Sequence, residues 1–364
     1  MSGRVIKCGK EVTFFAAANS GRGFVSFYPE VFEGNGITRR YLIKGGPGTG
    51  KSTLMRAVAR RALDEGMCVE YYRCSSDPQS LDAVVIEGRV AVIDATSPHC
   101  VEPRLAGASD EIINLGAFWN DEGLAARRSE IETLSQSKSE SYESAYAFLS
   151  AAYKVRKNTI RLFEKFINKG KMKKTALRIS RTIPKQDKFS TAVGLRSAIG
   201  MSGEVSLDTY EQIADKIYWI SDAYGSGALL LNMLIEEAKR RKNSISISYD
   251  PLEPSEPDAL LFEESKIAFI IGEVGCEGKE NKYINMKRFF EIPSDKASVL
   301  RRKYREFERI KARLMSLATE SLAEAGESHF ELEKIYKSCM DFKSLERFSS
   351  FFLERVIRNV RGVK

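Results

Sequence analysis

The sequence predicts two tandem α/β units with mostly parallel sheets, each followed by a helical appendage. Three observations carry this: an internal repeat, strands alternating with helices inside each copy, and long segments of helical periodicity closing each copy. The repeat is clearest where YLIKGGPGTGKSTL (residues 41–54) is laid over YWISDAYGSGALLL (residues 218–231). Tyr41 falls on Tyr218, Ile43 on Ile220, Gly48 on Gly225, Gly50 on Gly227 and Leu54 on Leu231, an offset of 177 residues. A repeat at a fixed offset sets the architecture before any residue-level reading.

The elements repeat in order. A Phe-rich stretch precedes each loop, FFAAANSGRGFVSF from Phe14 and FSTAVGLRSAIGMS from Phe189. A helix follows each loop; the first closes at Asp64, Glu65 and Gly66, the second at Lys242 and Asn243, where Gly and Asn tolerate the left-handed conformation that ends a helix. Strand-like runs MCVEYYR and SISISY come next, then SLDAVVIE over EPDALLFE, in which Asp82 falls on Asp258, and then VAVID over AFII. GASDEIINLGAFW from Gly107 lies over GKENKYINMKRFF from Gly278. Each copy ends in apolar residues at helical spacing, with Tyr146, Leu149, Ala152 and Tyr153 in a section spanning about 122–182, and Leu332, Ile335 and Tyr336 in one spanning about 295–360. The units are therefore residues 1–187 and 188–364, with sheets covered on both faces.

Composition bounds the class. At 364 residues and 43% hydrophobic content the chain can bury two ordinary cores. No apolar run reaches the roughly 18 residues of a membrane span, and MSGRVIKCGKEV lacks the apolar stretch of a secretion signal, so a cytoplasmic protein is expected. The six cysteines (Cys8, Cys68, Cys74, Cys100, Cys276, Cys339) form no CxxC pair and read as free thiols.

The net charge of +8 is unevenly spread. From Lys154 to Lys188 there are 13 Lys or Arg against two acids, Glu164 and Asp187, so this segment carries +11 and the remainder is slightly acidic. Such a block is either a polyanion or nucleic-acid surface or a solvated helical face. Gly170 is expected to break the helix there and present Lys169, Lys171, Lys173 and Lys174 at a turn.

GGPGTGKST, Gly45 to Thr53, fits G-x-x-x-x-G-K-[ST] between an apolar strand and a helix. Gly45, Gly46, Pro47, Gly48, Thr49 and Gly50 form a loop whose backbone amides turn toward a β-phosphate. Lys51 reaches the β and γ phosphates, Ser52 ligates Mg2+, and Thr53 completes the motif. The fold class thereby sharpens to two P-loop NTPase-like units, with ATP and Mg2+ as the expected ligands. RVAVIDA ends a second apolar strand in Asp94, placed to hold the metal through water as in a Walker B arrangement. Ala95 and Thr96 follow it, so no adjacent glutamate supplies a base.

The second copy carries Ala228 for Lys51, Leu229 for Ser52 and Ile271 for Asp94, and differs also at His99 (Cys276), Asp110 (Asn281) and Glu111 (Lys282). Shared positions read as scaffold and divergent ones as chemistry. This nominates Asp110 or Glu111 as the missing base and His99 as a γ-phosphate sensor, against drift at surface positions. Arg196, Arg240 and Arg241 are candidates to reach the first site from the second unit.

YLIKGGPGTGKSTLM, DPQSLDAVVIE, VIDATSPH and SDEIINLGAFW together resemble an uncharacterised bacterial tandem P-loop ATPase family over nearly the whole chain. The resemblance implies ATP binding and hydrolysis. Relatives usually keep both loops intact, and this sequence departs from them at the second. The expected function is an ATPase whose C-terminal unit is a nucleotide-free pseudo-domain. A small-molecule or nucleotide kinase is the alternative, and an ATP-gated nucleic-acid-binding module a third reading.

Overall fold

The computed structural model describes residues 11–34, 36–273 and 279–362; Cys8, Cys276 and Gly278 lie outside the described residues. The first half runs β1 (Glu11–Phe15), a hairpin of β2 (Ala17–Ser20) and β3 (Gly23–Ser26), the short helix α1 (Tyr28–Phe32), β4 (Arg39–Lys44) and α2 (Lys51–Asp64). β5 (Val69–Arg73), β6 (Leu81–Ile86), β7 (Val90–Asp94) and β8 (Asp110–Asn114) follow, then α3 (Asp121–Ala126), α4 (Arg128–Glu164) and α5 (Lys169–Ser180). The second half repeats the series as β9 (Thr191–Val193), β10 (Ser197–Gly200), β11 (Gly203–Ser206), α6 (Thr209–Ile213), β12 (Lys216–Ile220) and α7 (Gly227–Arg240). It continues through β13 (Ile245–Tyr249), β14 (Pro257–Phe262), β15 (Ile267–Ile271) and β16 (Glu280–Ile284) into α8 (Ser294–Ser338) and α9 (Phe342–Arg361).

The two six-stranded sheets have one topology, β1-β5-β6-β7-β4-β8 and β9-β13-β14-β15-β12-β16. The expected parallel sheet is modified at one strand in each. β6 runs antiparallel to β5 and β7, as β14 does to β13 and β15. Only Glu87, Gly88 and Arg89 separate β6 from β7, too few for the crossover that parallel neighbours need. Glu87 (φ 52°) and Gly88 (φ 60°) are both left-handed, the conformation of a tight hairpin turn. Gly66 (φ 75°) closes α2, whereas in the second half the left-handed residue is Lys242 (φ 58°) and not Asn243, whose side chain donates to the Pro184 carbonyl at 2.7 Å.

The sheets share one core. Phe15 and Leu195 exchange backbone hydrogen bonds (2.8 and 3.0 Å), and Phe27 stacks on Tyr249 at 5.2 Å between ring centres. Phe14, Tyr28 and Phe32 of one half pack in the same apolar cluster as Tyr210, Trp219 and Ile270 of the other.

The helical appendages do not stay with their own units. α4 has 37 residues and α8 has 45, lengths of about 55 and 68 Å, and they lie against each other through Ala145, Leu149 and Ala152 on one and Ala318 and Leu322 on the other. Each arm carries the chain to the opposite unit. α5 buries Met172, Ala176 and Ile179 against Leu230, Leu234 and Ala238 of α7 in the second unit. α9 buries Phe352, Val356, Ile357 and Val360 in the first, in one cluster with Tyr41, Met55 and Val58. A division at residue 188 separates the sheets, while the last helix of each half is exchanged. Gly170 does not break a helix: the break falls at Lys165–Asn168, Asn168 caps α5 by accepting from the Lys171 N–H at 2.9 Å, and Gly170 sits in its first turn.

Phe352 is 1% exposed, with its ring 5.1 Å from that of Tyr41. Phe352→Ala should cost about 3–5 kcal/mol. In hydrogen exchange, amides of β4 and α2 should lose protection while those of β12 and α7 keep theirs. Protection lost from the second unit instead would contradict the exchange of helices.

Candidate functional site

β4, next to the edge strand of the first sheet, delivers the chain to Gly45 between β7 and β8. The loop then turns through Gly48 (φ 69°) and Gly50 (φ 85°), and α2 begins at Lys51. Gly48 is required twice. Its backbone is left-handed, and a Cβ there would lie 2.6 Å from the Glu333 carbonyl oxygen of α8. The arm from the second half thus rests directly on the loop.

Lys51 lies along the loop, its Nζ donating to the carbonyls of Gly45 (2.9 Å) and Gly46 (2.8 Å) and standing 3.6 Å from Asp94 Oδ2. Thr49 Oγ1 donates to Gly46 at 2.9 Å, and Ser52 Oγ accepts the Leu81 N–H at 3.1 Å. Asp94 Oδ1 accepts from the Thr96 amide at 3.0 Å and from its hydroxyl. Burial pushes the Asp94 carboxyl up from its usual range, against the opposing pull of Lys51 and Thr96. Ser52 and Asp94 thus place a hydroxyl and a carboxylate where the motif expects a divalent metal. Both are hard oxygen donors, which suits Mg2+.

The loop opens on a cavity of about 750 Å3. Asp82, Asp94 and His99 form part of its wall, Tyr142 and Tyr146 of α4 face it, and His329, Phe330 and Lys337 of α8 lie across it. Its lysines are Lys51, Lys138 and Lys337, drawn from α2 and both arms. Burial lowers the Lys138 ammonium, with Lys51 adding to it; burial and the neighbouring Lys138 and Lys51 lower His329. Four carboxylates, Asp77, Asp82, Asp94 and Glu333, line the same cavity, with Glu333 paired to Lys337 at 2.7 Å.

His99 reaches the cavity wall, as a phosphate-facing residue must. It stacks on Tyr28 (4.4 Å), meets Phe24 edge-on (4.9 Å) and holds Nε2 3.1 Å from Asp82 Oδ2. Asp82 was read as scaffold because Asp258 repeats it.

Asp110 and Glu111 do not reach the site. Both sit at the start of β8, paired with Arg40 and Tyr41 of β4, whereas the loop follows the other end of that strand. Asp110 is 1% exposed and takes a bidentate pair from Arg40 (2.8 and 2.6 Å) plus the amides of Arg104 and Leu105. Arg40 holds its carboxyl far below the usual range, so it is a fixed anion and not a proton acceptor. Glu111 pairs with Arg39 at 2.6 Å and with Arg355 of α9 at 2.8 Å. Their divergence between the copies is explained by partners: Asn281, in place of Asp110, accepts from the Trp219 indole at 2.9 Å.

The three candidate arginines are also engaged elsewhere. Arg196 pairs with Glu211 (3.2 Å), Arg240 with Glu237 (2.7 Å), and Arg241 donates to the Ile183 carbonyl (2.7 Å).

The second loop is filled by its own protein. A Cβ on Gly227, the counterpart of Gly50, would lie 2.7 Å from Ile271 Cδ1, and one on Gly225 would lie 2.7 Å from Ile160 of α4. Tyr224 takes a left-handed φ of 59° and stacks on Phe163 at 3.8 Å. Arg156 of α4, paired with Asp250 at 2.6 Å, lines the smaller cavity of about 350 Å3 there. Ile160 thus stands to Gly225 as Glu333 stands to Gly48, and four residues earlier in each arm Arg156 corresponds to His329.

Between Lys154 and Lys188 three of the cations have polar partners, while Lys173, Lys174 and Arg178 of α5 are exposed. Arg156 is in the ion pair just described, Lys169 pairs with Glu164 at 2.8 Å, and Lys171 donates to the Arg288 carbonyl at 2.7 Å. Cys68, Cys74, Cys100 and Cys339 are free thiols. Among the described residues no helix is long and apolar enough to cross a membrane.

Burial lowers the His99 imidazolium, but Asp82, aided by Asp94, outweighs it and raises the group above its ordinary value. A group raised on folding stabilises fully below its unfolded value of about 6.5 and loses that contribution as pH rises through its folded value. The melting-temperature gap between parent and His99→Gln should therefore be widest near pH ~6 and narrow toward pH ~9. A gap that widens with pH would contradict the pair.

Comparison of the chain with protein-family models, curated proteins and solved structures gave no match, so what it does is argued from its own geometry.

Proposed function

We propose that the first unit binds ATP with Mg2+ and hydrolyses the β–γ bond, while the second unit serves as a nucleotide-free pseudo-domain whose arm completes the site. The observation that carries this reading is the meeting of Lys51 with Asp94 at 3.6 Å where the glycine loop enters α2. In the second unit the corresponding residues are Ala228 and Ile271. The loop amides and the N-terminus of α2 would take the β-phosphate, Lys51 would bridge β and γ, and Ser52 and Asp94 would hold the metal. Bound Mg2+ supplies charge neutralisation on the phosphate oxygens. Lys138 and Lys337 add positive charge from the arms, in the role that an arginine from a neighbour fills in related sites. The likeness of the motifs to the tandem P-loop ATPase family agrees with this reading, and a cytoplasmic location is part of the same proposal.

A second reading, phosphoryl transfer to a small hydroxyl compound, draws on the roofed cavity, which extends past the loop to Tyr142, Tyr146 and Leu322 and offers room beyond a triphosphate. Product analysis separates the two readings: inorganic phosphate in the absence of any acceptor marks hydrolysis.

Lys51→Ala removes two charge-assisted hydrogen bonds to the loop and one cation from the cavity. ATP affinity measured by calorimetry should fall at least ~10–100-fold, with a stability cost of about 1–2 kcal/mol. Parent affinity and turnover in this variant would overturn the assignment. The parent should titrate with one ATP per chain, and a second site of similar affinity would contradict the pseudo-domain.

A further inference from the structure

Beside Asp94 the cavity wall contains a group of buried polar atoms with no internal partner. Asp82 Oδ2, His99 Nδ1 and Ser75 Oγ of the wall, and Tyr28 Oη on the ring stacked against His99, lack a hydrogen-bond partner among the described residues, although their residues are only 5%, 7%, 1% and 3% exposed. Asp82 Oδ2 stands 3.1 Å from His99 Nε2, a contact that becomes an ion pair when His99 is protonated. Each unsatisfied buried polar atom costs about 1–3 kcal/mol, so those that line a cavity are placed to be satisfied by an occupant.

The duplicated unit provides an internal control. Asp258, the counterpart of Asp82, accepts from the Ser197 hydroxyl at 3.0 Å and lies 3.9 Å from Arg196; its Oδ1 also lacks a hydrogen-bond partner among the described residues, so the copies differ in the cation and hydroxyl beside the carboxylate and not in satisfaction as such. Ser197 opens the hairpin strand β10, and the residues at the matching place in the first unit are Ala16 and Ala17, before and at the start of β2. The carboxylate is kept in both copies. In the second it is held by a permanent cation and a hydroxyl; in the first those are removed and a histidine facing the cavity takes their place.

Elimination among the carboxylates lining the cavity points the same way. Asp94 is committed to Lys51 and Thr96. Asp77 caps its own turn, accepting from Ser80 Oγ at 2.6 Å and the Gln79 amide at 3.1 Å. Glu333 pairs with Lys337 at 2.7 Å. Asp82 alone pairs with a histidine, at 3.1 Å, and yet with no lysine or arginine among the described residues.

We propose that Asp82, oriented by His99, accepts the proton from the nucleophile that attacks the γ-phosphate. This rests on the ATP reading above. The nucleophile is water, or a hydroxyl compound if the second reading holds. Its O–H bond breaks as the proton passes to the Asp82 carboxylate, its oxygen bonds to the γ-phosphorus, and the bridging β–γ P–O bond breaks with its electron pair leaving on ADP. His99 is a positioning residue: Asp82 meets the reacting atoms, and His99 meets Asp82.

Asp82→Asn keeps the shape and removes the basicity. It should bind ATP within about threefold of the parent and lose at least ~100-fold in turnover. His99→Gln should lose less, ~10-fold, and should move the acidic limb of the pH–rate profile, which a purely structural role would leave in place. A second readout needs no turnover. The chain has two histidines, His99 and His329, and the NMR titration of His99, assigned by its loss in His99→Gln, should shift when a slowly hydrolysed ATP analogue binds and stay put with ADP. Asp82→Asn turning over within threefold of the parent, a folded Asp82→Asn that fails to bind ATP, or a His99 titration indifferent to the analogue would each overturn the proposal. Failure of the ATP reading itself is distinguishable, because then the parent protein would not bind ATP.

Discussion

The architecture depends on the exchange of the terminal helices. Burial of Phe352, Val356 and Val360 of the last helix against Tyr41 and Met55 anchors the second arm to the first unit, and burial of Met172 and Ala176 anchors the first arm to the second unit. With both ends fixed on opposite sheets, the long helices must cross both loops. The first loop therefore lies under Glu333, His329 and Lys337, residues nearly three hundred positions away in sequence, and the second lies under Arg156, Ile160 and Phe163. A duplicated chain without this exchange would leave the glycine loop open to water on that side. With it, the lysines facing the cavity come from α2, α4 and α8 together, so movement of either arm changes the charge around the glycine loop.

The two copies diverge in a physically consistent way. Where the first loop keeps a lysine and a carboxylate, the second has Ala228 and Ile271, and aromatic stacking of Tyr224 on Phe163 closes the gap. The degenerate loop has become a packing joint, and a joint is what an arm needs in order to hold the opposite site in register. Not every difference between the copies concerns chemistry. Arg40 with Asp110 in one and Trp219 with Asn281 in the other are alternative ways to satisfy the same strand end.

Much of this was legible in the sequence because the repeat, the loop motif and the strand ending in Asp94 are all local patterns. The reversal of β6 was not, since LDAVVI is buried on both faces and an apolar run carries no direction. Nor was the helix exchange, because an apolar stripe on α9 says that one face is covered without saying by what. The reading of Asp110 and Glu111 failed because divergence between copies was equated with function, whereas partner residues had changed with them. Asp82 was missed for the converse reason: it matches in both copies while its neighbours change, Ala16 and Ala17 standing where the second unit has Arg196 and Ser197. Comparing partner positions as well as the residue would have found it.

The central claim is that one nucleotide is held by the first loop under arms supplied by both halves. The most direct test is a structure with Mg2+ and a slowly hydrolysed ATP analogue. The account predicts one analogue per chain, its β and γ phosphates on Lys51 and the amides of Gly48 to Lys51, the metal at Ser52 and Asp94, and Asp82 with His99 facing the γ-phosphate. An analogue seated in the second cavity, or phosphates lying away from the Gly45–Thr53 loop, would contradict it.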